Sequence, residues 1–230
     1  MERDSATSLT LGQAALIAGL GLLVMTLSAP YAEFYVFPKV LLPDDIDGTV
    51  TNLIAHRGLY VSGLAAFFLN YVADVVVAWA LFVFLSPVNR QLSMLAALFR
   101  LLYTALGISA LMNLFSVVRL LDLPQYTSQV SSGQINVQLQ LLLDAYRIEW
   151  GVALILFGVH LVLVGFLLVR SGYVPRLLGY LVALAGLGYI VYMIGLYAFP
   201  AISFALVTIT FLLEPVFMVW LLWKGRQLER

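Results

Sequence analysis

Long apolar stretches separated by short polar breaks run along almost the whole chain. They fall near residues 10–30, 58–86, 91–120, 137–169, 175–198 and 202–223. Wound as a helix at about 1.5 Å per residue, each is long enough to cross about 30 Å of hydrocarbon. A transmembrane β-barrel would need short segments of strict alternation, and these runs are long and continuous. The breaks carry turn residues: "SPVNRQ" at 86–91, "RSGYVPR" at 170–176 and "FPA" at 199–201. Short breaks of this kind join antiparallel neighbours. The pattern therefore predicts an all-α polytopic membrane protein, with residues 1–230 forming one bundle of six transmembrane helices. Two longer links are expected near 31–57 and 121–136.

Composition agrees and removes most other classes. Of 230 residues, 63% are hydrophobic and 10% charged, with a mean hydropathy of +1.00. Water-soluble domains carry about 25% charged residues, so a soluble globule is excluded. A net charge of zero gives no basic footprint for nucleic acid, and none is expected as a partner. With no cysteine, disulfides, thiolate metal sites and cysteine nucleophiles are excluded. The two histidines, His56 and His160, lie at different depths, which leaves no basis for a haem or zinc site. No cofactor or metal is expected.

Charge also sets the expected orientation. Six spans place both termini on one side, together with Arg3, Arg90, Arg170, Arg176, Lys224, Arg226 and Arg230. The opposite side holds Lys39, Arg57 and Arg119 beside the acidic "PDDID" at 43–47. The basic excess faces the cytoplasm. The reading is a multi-pass protein of the inner (cytoplasmic) membrane, with both termini in the cytoplasm. Arg3 is flanked by Glu2 and Asp4, unlike the positive start of a secretory signal, so the first apolar run is expected to be retained. Small residues in "GQAALIAGLG" (12–21) and "LGYLVALAGLG" (178–188) are expected to let helices approach closely.

Four ionisable residues interrupt the apolar spans. Measured from the cytoplasmic ends at about 1.5 Å per residue, Asp74 lies about 19 Å deep, Arg100 and His160 about 15 Å, and Glu214 about 14 Å. A charge at this depth costs about 2.5–3.5 kcal/mol if it faces lipid, so the four should face inward and satisfy one another. Asn70, one turn from Asp74, and Tyr103, near Arg100, would add neutral hydrogen-bonding groups. A second polar group lies toward the outer side: Glu33, His56, Arg119, Asp144, Arg147 and Glu149 form an expected outer vestibule, in which Asp144 and Arg147 can pair at i,i+3.

Two readings of the buried layer stand side by side. In one, Asp74–Arg100 and Glu214–His160 pairs fix which helix meets which. In the other, the layer binds or passes a small polar or anionic ligand, or protons, with Arg100 as anion contact and His160 as the titrating group. Partners expected are the lipid bilayer, such a ligand, and, if the charges are purely structural, a larger membrane complex that this chain accompanies. An intramembrane enzyme acting on lipid, with His160 as general base, is a third reading.

Three segments carry a resemblance: "AEFYVFPKVLLPDD" (32–45), "NYVADVVVAWALFVFLSPVNRQLSMLAALFRLL" (70–102) and "LFGVHLVLVGFLLVRSGYVPRLLG" (156–179). Through them the chain resembles the bacterial integral-membrane family termed DUF4386, a domain of unknown function. The resemblance implies a six-span membrane protein and no established activity. Asp74, Arg100 and His160 stand inside the matching segments, whereas Glu214 lies where the likeness is looser.

Overall fold

The computed structural model describes residues 9–43, 45–121, 131–198 and 204–228, with the side chains of 132, 196–198 and 204–212 left aside. Its elements are α1 (Leu11–Pro30), a π-helical turn (Tyr31–Val36), α2 (Phe37–Val40), α3 (Ile46–Ala55), α4 (Arg57–Leu85), α5 (Arg90–Leu121), α6 (Ser132–Arg170), α7 (Arg176–Ala198) and α8 (Phe204–Trp223). A short 3₁₀ turn, Gly225–Gln227, follows. Among the described residues there is no strand. Among the described residues, five segments are long and apolar enough to cross a membrane: Leu11–Val40, Arg57–Leu85, Arg90–Leu121, Gly133–Arg170 and Arg176–Gly195. The sixth expected span, 202–223, lies partly outside the described residues, although its backbone is helical from Phe204.

The first helix outruns its predicted end. Pro30 has no N–H to return to the preceding turn, and its ring crowds the carbonyl four residues back. The chain responds by widening into the π turn, where Phe37 N–H reaches back to Ala32 O, and then continues as α2. The expected 31–57 link is thus mostly helical. Asp45 starts α3 by accepting the Gly48 N–H at 2.8 Å, a side-chain N-cap.

The chain divides into two compact units. The first comprises Met1–Leu23, Ala73–Leu102 and Leu154–Arg230; the second comprises Val24–Val72 and Tyr103–Ala153. In the first unit, α6 and α7 form an antiparallel hairpin that meets backbone to backbone. A Cβ on Gly186 would lie 2.5 Å from Gly158 O, and one on Gly165 would lie 2.6 Å from Gly179 O. Glycine is required at these crossings because the obstruction is backbone and cannot swing aside. This is how small residues bring membrane helices together.

Turn chemistry completes the first unit. Ser86 and Ser93 both donate their hydroxyls to Phe82 O, at 2.5 and 2.9 Å. Asn89 caps α5 by accepting the Leu92 N–H at 3.0 Å. Beyond α6, Gly172 takes the left-handed conformation (φ 74°) that ends a helix without a Cβ clash. Tyr173, next to it, donates its hydroxyl to Phe84 O at 2.6 Å and sets its ring edge-on to Phe84. The α6–α7 turn is thereby tied to the end of α4.

Two predictions follow from these joints. Gly186→Ala should destabilise the protein by about 1–3 kcal/mol, the usual cost of overpacking, read as a lower midpoint in denaturant titration of the protein in bicelles. Burial pushes the Tyr173 phenol up to about 12 from its ordinary value near 10. Because the folded-state value lies above the unfolded one, its contribution is complete below pH 10 and disappears as pH rises through about 12. Tyr173→Phe should cost about 0.5–1.5 kcal/mol at neutral pH and should remove that part of the alkaline loss of stability.

Candidate functional site

The buried charges of the first unit assemble around Arg100, which projects from α5 and is 1% exposed. Its Nε and Nη2 both reach Asp74 Oδ1, at 2.8 and 2.6 Å. Asp74, from α4, is fully buried. On the other side of the guanidinium, Nη1 donates to His160 Nε2 at 3.0 Å. His160 Nδ1 in turn lies 2.8 Å from Ala96 O, one turn before Arg100 on α5. Three helices are stitched at one depth by a single chain of hydrogen bonds.

This geometry fixes the histidine. A guanidinium has donors only, so Nε2 must accept; a carbonyl only accepts, so Nδ1 must carry the proton. Both requirements are met by one neutral tautomer, Nδ1–H. The expectation that His160 serves as the titrating group is therefore not what the arrangement supports, since both ring nitrogens are already committed. Phe157, one turn back on α6, stacks on the imidazole with centroids 5.8 Å apart, and the Arg100 guanidinium carbon lies 5.3 Å from the same ring.

Glu214 lies apart from the histidine it was expected to pair with. Its Oε1 accepts the hydroxyl of Tyr189, from α7, at 2.8 Å. Tyr189 meets Phe157 edge-on at 5.6 Å, which carries the cluster from α6 to α7. Between Glu214 and the Arg100–His160 contact lies a cavity of about 20 Å³, walled otherwise by Leu22, Leu81, Val182 and Phe217 among others. About 10–15 Å³ is enough for one water. The cavity admits one water and no larger ligand as it stands.

Sequence reasoning found Asp74, Arg100, His160 and Glu214 from their depth. It missed Tyr189 and Ala96 O. A tyrosine within an apolar helix reads equally as an interfacial anchor or as a buried donor, and a backbone carbonyl leaves no mark in composition. Asn70 and Tyr103 are buried in the second unit, where Tyr103 packs on Tyr71 with centroids 6.2 Å apart.

The expected vestibule residues also belong to the second unit, where they meet different partners. Glu149 Oε1 accepts from Asn113 Nδ2 at 3.2 Å. Arg147 and Asp144 form the anticipated i,i+3 pair, long at 4.0 Å and largely exposed. Arg147 also lies in the electrostatic field of Glu33. His56 ends α3 on the surface. Arg119 stands at the edge of an apolar groove lined by Phe68, Met112 and Phe115.

The family model of DUF4386, described as a domain of unknown function, matches residues 17–225. The chain belongs to this family. The match embraces Asp74, Arg100, His160, Tyr189 and Glu214, so the whole cluster lies inside the DUF4386 region. Comparison with curated proteins and with solved structures finds no match.

Removing one partner of the central pair should expose its cost. Arg100→Met leaves the Asp74 carboxylate buried without its cation and should destabilise by about 3–5 kcal/mol. Asp74→Leu combined with Arg100→Met should lose much less than the two single losses added together. Reversible unfolding in bicelles reads the difference; additive losses would contradict direct pairing.

Proposed function

We propose that this DUF4386 protein is a six-span protein of the inner membrane, with both termini cytoplasmic, whose buried cluster handles water and protons. The observation that carries this reading is the one-water cavity set between Glu214 and the Arg100–His160 contact. Arg100 already faces the carboxylate of Asp74, so little of its charge is left for an anion. Across the cavity stands a second carboxylate, which opposes one. Water and protons fit this setting better than the small anion considered from sequence.

In this reading the roles differ from those expected. His160 is a fixed acceptor that holds the guanidinium in place. Glu214 is the proton-carrying group: among the described residues it is held by Tyr189 and joins no ion pair. Tyr189 orients its carboxyl, and a water in the cavity would connect Glu214 to the Arg100–His160 end. A general-base role for His160 toward a lipid substrate finds no support, because neither ring nitrogen is open.

The closed chain from Asp74 through Arg100 to His160 and Ala96 O favours a second reading, in which the cluster clamps helices in an accessory subunit of a larger membrane complex. Purification in mild detergent separates the two. The clamp reading expects a stoichiometric membrane-protein companion, and the proton reading expects activity from the chain alone.

Reconstitution into liposomes enclosing a pH-sensitive dye tests the proton reading. Wild-type protein should accelerate pH equilibration over empty liposomes, and Glu214→Gln should return the rate to the empty-liposome level while the protein stays folded. Equal rates for wild type and empty liposomes would overturn it.

A further inference from the structure

The second unit contains a different arrangement, independent of the reading above. Six aromatic rings follow one another through its interior: Trp150, Tyr146, Phe37, Phe67, Tyr71 and Tyr103, with successive centroids 5.6–6.4 Å apart. Tyr60 joins at Phe37, 6.0 Å away, and donates its hydroxyl to Leu114 O at 3.0 Å. Gly107 makes room for this packing, because a Cβ there would strike the Tyr71 ring.

An apolar ring stack needs no charge, yet this one has a carboxylate beside it. Glu33 sits on the π turn, and turns of this kind inside α-helices frequently mark functional positions. Its Oε2 is buried and has no hydrogen-bond partner. The Tyr146 hydroxyl is also buried and without a partner, in a side chain only 8% exposed. That hydroxyl lies in the electrostatic field of Glu33 and of Tyr60, Tyr71 and Tyr103. One turn along α6 from Tyr146, Glu149 likewise keeps Oε2 buried and unbonded. Among the described residues these three oxygens, and Ser28 Oγ in the same unit, are buried without hydrogen-bond partners, where nearly all buried polar atoms are satisfied.

We propose that the second unit carries a site for an organic ammonium cation, with Glu33 as counter-charge, the Tyr146 hydroxyl as acceptor and the tyrosine rings as its wall. Each feature selects against the other ligand classes. Two carboxylates repel an anion. Among the described residues no group of three or more acidic or histidine side chains could hold a metal ion. A neutral polyol would leave the Glu33 carboxylate with only the largely exposed Arg147 as opposite charge. An alkylammonium supplies N–H donors for the oxygens and a diffuse positive charge for ring faces, as in aromatic cages that recognise ammonium groups. The same chemistry operates nearby, where the Lys39 ammonium sits 3.4 Å from the Tyr35 ring centre. Arg147, whose positive charge acts on Glu33, has a largely exposed side chain paired with Asp144 at 4.0 Å.

The ammonium group could belong to a free amine or to a lipid headgroup, and one experiment separates them. Full-length protein in dodecyl maltoside, which carries no ammonium, is titrated with radiolabelled ethylammonium and, separately, with phosphatidylethanolamine in mixed micelles. Saturable binding of ethylammonium assigns a soluble amine; binding of phosphatidylethanolamine alone assigns the headgroup. In either case Glu33→Gln and Tyr146→Phe should each weaken binding about tenfold or more, the effect of losing one hydrogen bond to a charged group. Tyr146→Phe should leave the unfolding midpoint unchanged or raise it, since the hydroxyl it removes has no hydrogen-bond partner among the described residues. No saturable binding of either probe to wild type, or equal binding to wild type and both variants, would overturn the proposal. So would a site that takes sodium or glycerol in preference to both probes.

Discussion

A guanidinium cannot shed its proton inside a protein, so an arginine placed among apolar helices must be neutralised where it stands. Arg100 is almost wholly buried, and the first unit is organised around meeting that requirement. Asp74 supplies the opposite charge, and His160 takes a remaining donor. The pair's net contribution to stability is small, because desolvating two charges offsets most of their attraction. Its consequence is specificity. An arrangement of α4, α5 and α6 that separates the aspartate from the arginine leaves a bare charge in an apolar interior.

Close helix contact makes that arrangement attainable. The glycine crossings Gly158–Gly186 and Gly165–Gly179 draw α7 against α6 along two turns on either side of His160. Tyr189, which follows Gly186 by three residues, is thereby carried to Phe157 and can reach Glu214. The hydroxyl-capped turns and the Tyr173–Phe84 bond hold the ends of the same helices. The cavity beside Glu214 is what remains when these constraints are met by side chains of fixed size; its wall is mostly apolar, with Arg100, His160 and Glu214 as the polar side chains on it.

Much of this was legible in the residues. Hydropathy located the helices, and the turn residues of "SPVNRQ" and "RSGYVPR" located two of their ends. Depth counted along each span brought Asp74, Arg100, His160 and Glu214 to one level. What depth cannot give is rotation: two groups at equal height meet only if both helices turn them toward each other. That is why Asp74–Arg100 emerged as expected whereas Glu214 found Tyr189 instead of His160. The π turn after Pro30 was also hidden, since a proline near a helix end reads as a stop, and here the chain widens and continues. The vestibule residues shared an outer level for the same reason. Of them, Glu33 and Glu149 proved distinctive through a buried Oε2 without a hydrogen-bond partner among the described residues, which no sequence pattern shows.

The hydrogen-bond chain requires His160 to be neutral, protonated at Nδ1 and accepting from Arg100 at Nε2. Nitrogen-15 solid-state NMR of the histidine-labelled protein in lipid bilayers measures this directly, with His56→Gln removing the other imidazole. The predicted spectrum at neutral pH has one protonated nitrogen, Nδ1, and one unprotonated nitrogen, Nε2, whose shift moves when Arg100 is replaced. An imidazolium with both nitrogens protonated, or the Nε2–H tautomer, would contradict the hydrogen-bond chain on which the site is built.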